Sequence, residues 1–244
     1  MFIKINGLDQ WVSVQGGTPS NPALMLVTGA GLALSWMAPF FAPWESAFRL
    51  IYWDQPTADT VTIDRLAVDG VAVTEAISNE LGVERPILLG ASGGSIVGLK
   101  MIKARPDLFT AYVGTGQIVR GTDVTESKEG LVLTPGEQAA LAAMPRTGGD
   151  EQRAQATKMY LQLRDEMAAF DARALGLDYA VPMFFIQGNL DRYTPTTRVA
   201  ELVQDLVAPA KQLAIVEGGG HAAMFLREPF LRLLIELVKF TDHS

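Results

Sequence analysis

The chain has 244 residues, 48% of them hydrophobic and 19% charged, which is typical of a folded globular protein with room for one sizeable α/β domain. Its formal net charge of -7 and the absence of a long basic run argue against a nucleic-acid partner. The chain contains no cysteine, which excludes disulfides, thiol catalysis and metal sites built from cysteines, and its 2 histidines argue against a metal site built from several histidines.

The start of the chain, Met1 to Gly7, lacks the apolar stretch of a signal peptide, and no uninterrupted apolar run reaches membrane-spanning length. We therefore expect a cytoplasmic protein that acts on a small molecule or a short peptide, with no membrane or nucleic-acid partner. No metal or organic cofactor is expected, and the oligomeric state is left open.

Strands and helices alternate along most of the chain. Residues 2–14 alternate loosely and contain Asn6-Gly7, a strong hairpin signal, so they predict two edge strands. Short apolar runs predict buried strands at residues 24–28, 48–53, 87–89, 111–114, 183–187 and 212–216. Apolar spacing and flanking glycine or proline predict helices over about residues 63–81, 93–105, 195–206 and 222–240. This alternation is typical of a mostly parallel, doubly wound sheet.

Residues 117–180 interrupt the alternation. Thr134-Pro135-Gly136-Glu137 has the pattern of a capping box with proline at the first helical position, and it predicts a helix through Met144. A longer helix is predicted over about residues 150–170, with Asp150 as its candidate cap. Two interpretations are open: helices that pack on the sheet, or a small helical lid over the active site. Because the segment lies between predicted sheet strands, the sequence favours the lid, inserted into a single domain over residues 1–244.

The strongest chemical signal lies in residues 86–98, which predict a buried strand, a tight turn and a helix. Within them, Gly90 to Gly94 match G-x-S-x-G, the nucleophile elbow. A serine on such a strained turn needs neighbours without bulk, and the N-terminus of the new helix favours an anion beside Ser92. An ordinary loop rich in glycine and serine is the alternative. A serine hydroxyl becomes a useful nucleophile only with a base and a group that orients the base.

Two further side chains fit these roles. His221 follows a predicted strand in a glycine-rich turn, whereas His243 is the penultimate residue and is expected to fray. Asp191 also follows a predicted strand, and its alternative role is an ordinary turn or N-cap aspartate. Asp205, within a predicted helix, and Glu217, close to the histidine in the chain, are weaker candidates for the acid. The order serine, aspartate, histidine is the one expected of a hydrolase built on a parallel sheet.

Two backbone N–H groups are candidates for an oxyanion hole. One belongs to Gly93, the residue after the candidate nucleophile, and the other to Ala30, in the glycine-rich loop after the strand at residues 24–28. Losing such a donor typically raises the activation free energy by about 3–4 kcal/mol. The alternative interpretation of these residues is an ordinary tight turn between strand and helix. Trp36 and Phe40 are candidates for an apolar acyl pocket, with helix core as the alternative.

Together these motifs resemble the proline iminopeptidase-like branch of the α/β-hydrolase superfamily. The similar segments lie at residues 52–56, 90–94, 105–109, 112–117, 185–191 and 217–221. The resemblance implies the α/β-hydrolase fold, with Ser92, Asp191 and His221 as nucleophile, acid and base. Ala30 and Gly93 would donate to the oxyanion. The implied reaction is cleavage of a carboxylic ester or amide through an acyl-enzyme.

Three features depart from that branch. Residues 28–32 read Thr-Gly-Ala-Gly-Leu instead of beginning His-Gly-Gly-Pro-Gly, a Gly-x-Gly is missing after Gln55-Pro56, and the inserted segment is shorter. Members of the branch bind a free amine with lid carboxylates, for which Glu126, Glu129 and Glu137 are available here. A carboxylesterase, a lyase or perhydrolase with the same triad, a ligand-binding receptor and a structural interaction protein remain as alternatives.

Overall fold

A single sheet of eight strands runs through the computed structural model, which describes residues 1–29, 33–124, 131–144 and 150–239, with the backbone alone for residues 150–153. The strands are β1 (Phe2–Ile5), β2 (Leu8–Gln15), β3 (Ala23–Val27), β4 (Arg49–Trp53), β5 (Ile87–Ala91), β6 (Tyr112–Thr115), β7 (Met183–Gly188) and β8 (Lys211–Val216). Their order in the sheet is β1-β2-β4-β3-β5-β6-β7-β8.

The sheet is antiparallel at one edge and parallel everywhere else. β1 pairs with β2 across the Asn6-Gly7 turn, and both turn residues have the positive φ angles, 48° and 88°, that a tight hairpin requires. β2 pairs antiparallel with β4, and all later pairs are parallel. The carboxyl ends of the parallel strands therefore lie at the same end of the sheet, and the loops that follow β3, β5, β6, β7 and β8 start there.

Helices cover both faces of the sheet. They are α1 (Leu34–Phe41), α2 (Ile63–Leu81), α3 (Gly93–Ala104), α4 (Pro135–Ala142), α5 (Asp150–Ala169), α6 (Thr196–Asp205) and α7 (Arg227–Val238). α2, α3 and α6 bury apolar side chains on one face, and α1 and α7 do so on the other. This explains why β3 and β5 read as unbroken apolar runs, since every residue of both strands is buried. Among the described helices, none has the length and apolar character needed to cross a bilayer.

Most predicted boundaries match the structure to within one or two residues. Gly82 ends α2 in the left-handed conformation, which confirms the predicted end of this helix. Thr62, whose role was not predicted, caps its start by accepting the N–H of Arg65 at 3.1 Å. The single helix predicted over residues 222–240 was wrong in its first part. A short 3-10 turn, Ala223–Phe225, comes first, and α7 begins after Leu226, whose ψ of 67° is not helical. Pro229 favours this restart, because proline is tolerated in the first turn of a helix but not in its interior.

The segment between β6 and β7 contains both of its predicted helices, α4 and α5. The capping box of α4 is present as predicted, with Thr134 and Glu137 satisfying each other's backbone N–H groups. α5 packs on the body of the protein beside the start of α2, where Gln162 donates to the carbonyl of Val61 at 2.6 Å and Glu166 accepts the N–H of Ile63 at 2.9 Å. The glycines before α5 lie outside the described residues.

Candidate active site

Ser92 lies between the last residue of β5 and the first residue of α3. Its φ of 54° and ψ of -127° are rare for a residue with a side chain, and a backbone of this kind costs about 1–3 kcal/mol. Two hydrogen bonds hold the turn. The N–H of Ser92 donates to the carbonyl of Thr115 at 3.0 Å, and its own carbonyl accepts the N–H of Ser95 at 2.8 Å. The conformation raises the hydroxyl above the end of the sheet, as the elbow motif predicts.

The glycines around Ser92 are required by close backbone contacts. A Cβ placed on Gly90 would lie 2.9 Å from the carbonyl oxygen of Gly94, and one placed on Gly94 would lie 2.2 Å from that of Val27. Real Cβ atoms do not approach backbone oxygens so closely, so β5, α3 and the end of β3 meet only because these side chains are absent. The glycines of the G-x-S-x-G motif are therefore explained by the tight packing of the backbone around this turn.

His221 lies in the glycine-rich loop after β8, and its imidazole meets the serine. The Nε2 atom is 2.8 Å from Oγ of Ser92, although the two residues are separated by 129 positions in the chain. The histidine is 9% exposed. Gly116, in the loop after β6, gives the ring its space, because a Cβ there would lie 2.8 Å from Cε1 of the histidine.

Asp191, in the loop after β7, completes a line of three side chains. Its Oδ2 is 3.2 Å from Nδ1 of His221, and both residues are buried. Its other oxygen, Oδ1, accepts the N–H groups of Tyr193 and Thr194, each at 2.9 Å. Asp191 therefore also makes the contacts of a turn-forming aspartate through Oδ1, and these bonds orient Oδ2 toward the histidine.

Thr194 is a neighbour of this pair that sequence reasoning missed. Its hydroxyl donates to Oδ2 of Asp191 at 2.7 Å and lies 3.0 Å from Nδ1 of His221. The only sequence signal was its position three residues after the aspartate, which is also common in ordinary helix caps. The hydroxyl fixes the carboxylate oxygen that the imidazole approaches.

The other candidates for acid and base lie elsewhere or outside the described residues. Asp205 is paired with Arg173 at 2.6 Å, and Glu217 accepts a hydrogen bond from Asn189 at the surface. Both are therefore engaged away from the imidazole. His243 belongs to the C-terminal residues that the structure does not describe.

The oxyanion region is described on one side. Gly93 is the first residue of α3, so its N–H is one of those that have no partner within the helix. Gly29 lies beside it, since a Cβ there would be 3.4 Å from that nitrogen and 3.8 Å from Oγ of Ser92. Gly29, at the start of the loop after β3, thus lies beside the serine. Ala30 lies outside the described residues, so its role as second donor remains a prediction.

Comparisons with known proteins agree with this architecture. No family model matches the chain. It is 22% identical to a probable aminopeptidase, YbaC of Bacillus subtilis strain 168, over 94% of this chain and 92% of the relative. It is 24% identical to RutD of Stutzerimonas stutzeri strain A1501, named as a carbamate hydrolase, over 89% and 92%. A serine hydrolase involved in carbazole degradation, the CarC enzyme, matches 98% of both chains with a TM-score of 0.75 at 18% identity.

The chain has the α/β-hydrolase fold. The curated relatives and the solved structures both point to the α/β-hydrolase superfamily, and the predicted fold class is confirmed. The narrower resemblance to the proline iminopeptidase-like branch is not confirmed by these comparisons and remains a prediction.

In this α/β-hydrolase fold, a buried polar cluster supports the loop that lies under His221. The hydroxyl of Tyr112 donates to Oε1 of Gln117 at 2.7 Å, and the backbone N–H of Gln117 donates to Oε1 of Gln187 at 3.2 Å. Burial raises the pKa of Tyr112 well above its ordinary value, so the phenol keeps its proton and remains a donor. Tyr112 lies in β6, Gln117 directly follows Gly116, and Gln187 lies in β7. Their roles could not be predicted from apolar spacing.

The candidate pocket residues on α1 differ in their surroundings. Phe40 is buried in the core of the sheet face that α1 and α7 cover, where its ring packs edge-on against Phe41 and Phe225 and under the guanidinium of Arg227. These contacts agree with the alternative interpretation of Phe40, in which its side chain belongs to the core beneath the helix. Trp36 is half-buried on the same helix, and a contribution of either side chain to substrate binding remains a prediction.

Tyr193 and Tyr160 lie next to each other beside His221 in the α/β-hydrolase site. The ring of Tyr193 packs edge-on against the imidazole of His221, with centroids 4.8 Å apart. Its hydroxyl lies 3.3 Å from that of Tyr160 on α5, which joins the inserted segment to the loop that carries Asp191. The inserted helix therefore reaches the edge of the site through this tyrosine pair.

Of the three glutamates available for binding a substrate amine, the structure describes one. Glu137 is fully buried, and each of its oxygens accepts a backbone N–H, from Thr134 and from Gly220, both at 2.8 Å. Glu126 and Glu129 lie outside the described residues. Glu137 is thus engaged by the protein's own backbone on both sides.

Proposed function

We propose that the protein is a serine hydrolase that cleaves a carboxylic ester or amide through an acyl-enzyme, with Ser92, His221 and Asp191 as nucleophile, base and orienting acid. The observation that carries this proposal is the continuous line of contacts among them, 2.8 Å from serine to imidazole and 3.2 Å from imidazole to carboxylate. Serine and base must lie within hydrogen-bond reach for proton transfer, and they do.

The chemistry follows from that geometry. Nε2 of His221 takes the hydroxyl proton while Oγ of Ser92 bonds to the substrate carbonyl carbon. The carbonyl oxygen becomes an anion beside the N–H of Gly93 and, in this proposal, that of Ala30. The imidazolium then gives its proton to the departing alcohol or amine, which leaves an acyl-serine. A water molecule then loses a proton to the same imidazole as its oxygen bonds to the acyl carbon. The bond between that carbon and Oγ breaks, the free acid leaves, and the imidazolium returns its proton to Oγ of Ser92.

The relatives support a carbonyl substrate without specifying it. The named activities of YbaC and RutD are those of an aminopeptidase and a carbamate hydrolase, and an esterase is among the solved structures with this fold. We propose a small-molecule ester or amide as the substrate class, with residues 117–180 as a short lid inserted into a single domain. An N-terminal amide is a second candidate, favoured by the match to YbaC over 94% of the chain.

A fluorophosphonate probe tests the reaction class. The wild-type protein is expected to be labelled at one serine, Ser92→Ala is expected to lose the label, and Ser46→Ala, at an exposed serine, is expected to keep it. A folded wild-type protein that neither reacts with the probe nor turns over any ester or amide of the substrate screen would refute the proposal. Tight ligand binding without turnover would then indicate a receptor.

A substrate screen separates the candidates within the enzyme class. p-Nitrophenyl esters of increasing acyl length are compared with arylamides of N-terminal proline and of other amino acids. Faster turnover of the esters favours a carboxylesterase, and faster turnover of amides with a free amine favours the aminopeptidase. Product analysis distinguishes hydrolysis from lyase or perhydrolase chemistry, because hydrolysis alone yields the free acid and the alcohol or amine.

A further inference from the structure

Glu137 makes one contact that its helix does not need. As the third residue of α4, it completes the capping box when Oε2 accepts the N–H of Thr134 at 2.8 Å. Its second oxygen, Oε1, accepts the N–H of Gly220, 83 positions away in the chain and directly before His221, also at 2.8 Å. A capping box requires the first of these bonds and not the second.

The burial of this carboxylate indicates that the second contact matters. Glu137 is 0% exposed, and in the described part of the chain no lysine or arginine forms an ion pair with it. Burying a charged group is strongly unfavourable unless it is fully hydrogen-bonded. A capping box on the surface stabilises a helix without that cost. The N–H groups of Thr134 and Gly220 therefore stabilise a buried carboxylate beside the histidine loop.

The loop around Gly220 is closely packed on two sides, by Glu137 and Thr134 and by the end of β7. A Cβ on Gly220 would lie 2.8 Å from Oε2 of Glu137 and 3.2 Å from Cγ2 of Thr134. On the opposite side, a Cβ on Gly188 would lie 2.3 Å from the carbonyl oxygen of Gly219. The histidine loop is thus held between the end of β7 and the first turn of α4, and the glycines in it are the residues that allow this close approach.

We infer that Glu137 is a positioning residue for the catalytic base, and that it couples the inserted segment to His221 through the Gly220 N–H. This inference rests on the proposed serine hydrolase function. Glu137 forms no described hydrogen bond with Ser92 or with the imidazole of His221, so it acts by fixing the backbone from which the imidazole projects. Because the carboxylate is 0% exposed and each of its oxygens already accepts a backbone N–H, it does not face a substrate amine.

Glu137→Gln is the direct test, because the amide keeps one acceptor oxygen and replaces the other with a group that cannot accept. We expect kcat, and the rate constant for fluorophosphonate labelling of Ser92, to fall together by about ten- to a hundredfold, with KM changed less than twofold. Glu166→Gln is the matched control. Glu166 is also a glutamate of the inserted segment that accepts a core backbone N–H, that of Ile63, but it lies away from the histidine loop.

Three outcomes would overturn the inference. One is a folded Glu137→Gln protein with wild-type kcat and labelling rate. The second is an equal loss in Glu137→Gln and Glu166→Gln, which would mean that docking of the segment in general is responsible. The third is a rise in KM with kcat and labelling unchanged, which would assign Glu137 to substrate binding.

The wild-type protein provides a test that does not depend on a variant folding. The Gly220 amide is expected to exchange with solvent at least about a hundredfold more slowly than an unstructured amide, because Glu137 accepts its hydrogen. Unprotected exchange would refute the contact. If the wild-type protein neither reacted with the probe nor turned over any ester or amide while the Gly220 amide was protected, the proposed function would fail and the contact would stand. The two failures are therefore distinguishable.

Discussion

Gly94, in the first turn of α3, lies directly against the carbonyl oxygen of Val27 at the end of β3, so that a Cβ on the glycine would be 2.2 Å from that oxygen. Since both partners are backbone in regular structure, neither can move aside. We expect Gly94→Ala to lower the free energy of unfolding by about 3 kcal/mol or more, measured by urea denaturation.

Gly29→Ala is the matched comparison for this substitution. Its nearest contacts would be 3.4 Å or longer, and they lead to the nitrogen of Gly93 and the side chain of Ser92. We expect this variant to unfold within about 1 kcal/mol of the wild type while losing hydrolytic activity, because the added methyl group enters the oxyanion region. Equal stability of the two alanine variants would contradict the packing account of the elbow.

Ser92 stores backbone strain that glycine would release. At φ 54° and ψ -127° a side chain is unfavourable, whereas glycine adopts this region readily. Both Ser92→Ala and Ser92→Gly are expected to be inactive, with kcat reduced by about four to six orders of magnitude. Ser92→Gly should nevertheless be more stable than Ser92→Ala by about 1 kcal/mol in urea denaturation with equal slopes. A less stable glycine variant would show that the elbow is not strained.

Thr194→Val removes the hydroxyl that donates to Asp191 and leaves the backbone N–H bonds to the same carboxylate in place. A hydrogen bond to a charged group contributes enough that kcat/KM is expected to fall about tenfold, while Thr194→Ser should retain most of the activity. The measurement uses whichever ester the substrate screen identifies. Unchanged turnover in the valine variant would mean that the hydroxyl does not support the carboxylate, and faster turnover would mean that it competes with the imidazole for the carboxylate.

Buried tyrosines predict a loss of stability in alkali. Burial raises the pKa of Tyr179 to about 12, and burial together with Glu45 raises that of Tyr52 above its usual range. The unfolded chain loses these protons near pH 10 while the folded protein still holds them, so the free energy of unfolding decreases as the pH rises above about 10.

Denaturation by urea at stepped pH checks this. Each such tyrosine should lower the free energy of unfolding by about 1.4 kcal/mol per pH unit between its unfolded and folded pKa values. Tyr179→Phe should make the decline shallower up to about pH 12. An identical slope in the phenylalanine variant would contradict the assignment to Tyr179.

Most of the fold could be predicted because its central strands are fully buried and because flanking glycine, proline and capping residues mark the ends of several helices. The apolar runs of β3 and β5 and the left-handed Gly82 are local features, and local sequence suffices to recognise them. The helix predicted from residue 222 failed in its first turns because a non-helical backbone at Leu226 is not visible in apolar spacing.

The sequence by itself determined the elbow, the candidate histidine and aspartate, and the topology that carries each of them to the same edge of a parallel sheet. Only the tertiary structure decided what surrounds them: the threonine hydroxyl between Asp191 and His221, and the Glu137 carboxylate on the Gly220 N–H. The physical reason is that motifs record short-range backbone demands. A hydrogen bond across 83 positions depends on how the inserted segment docks on the histidine loop, and no local pattern encodes that docking.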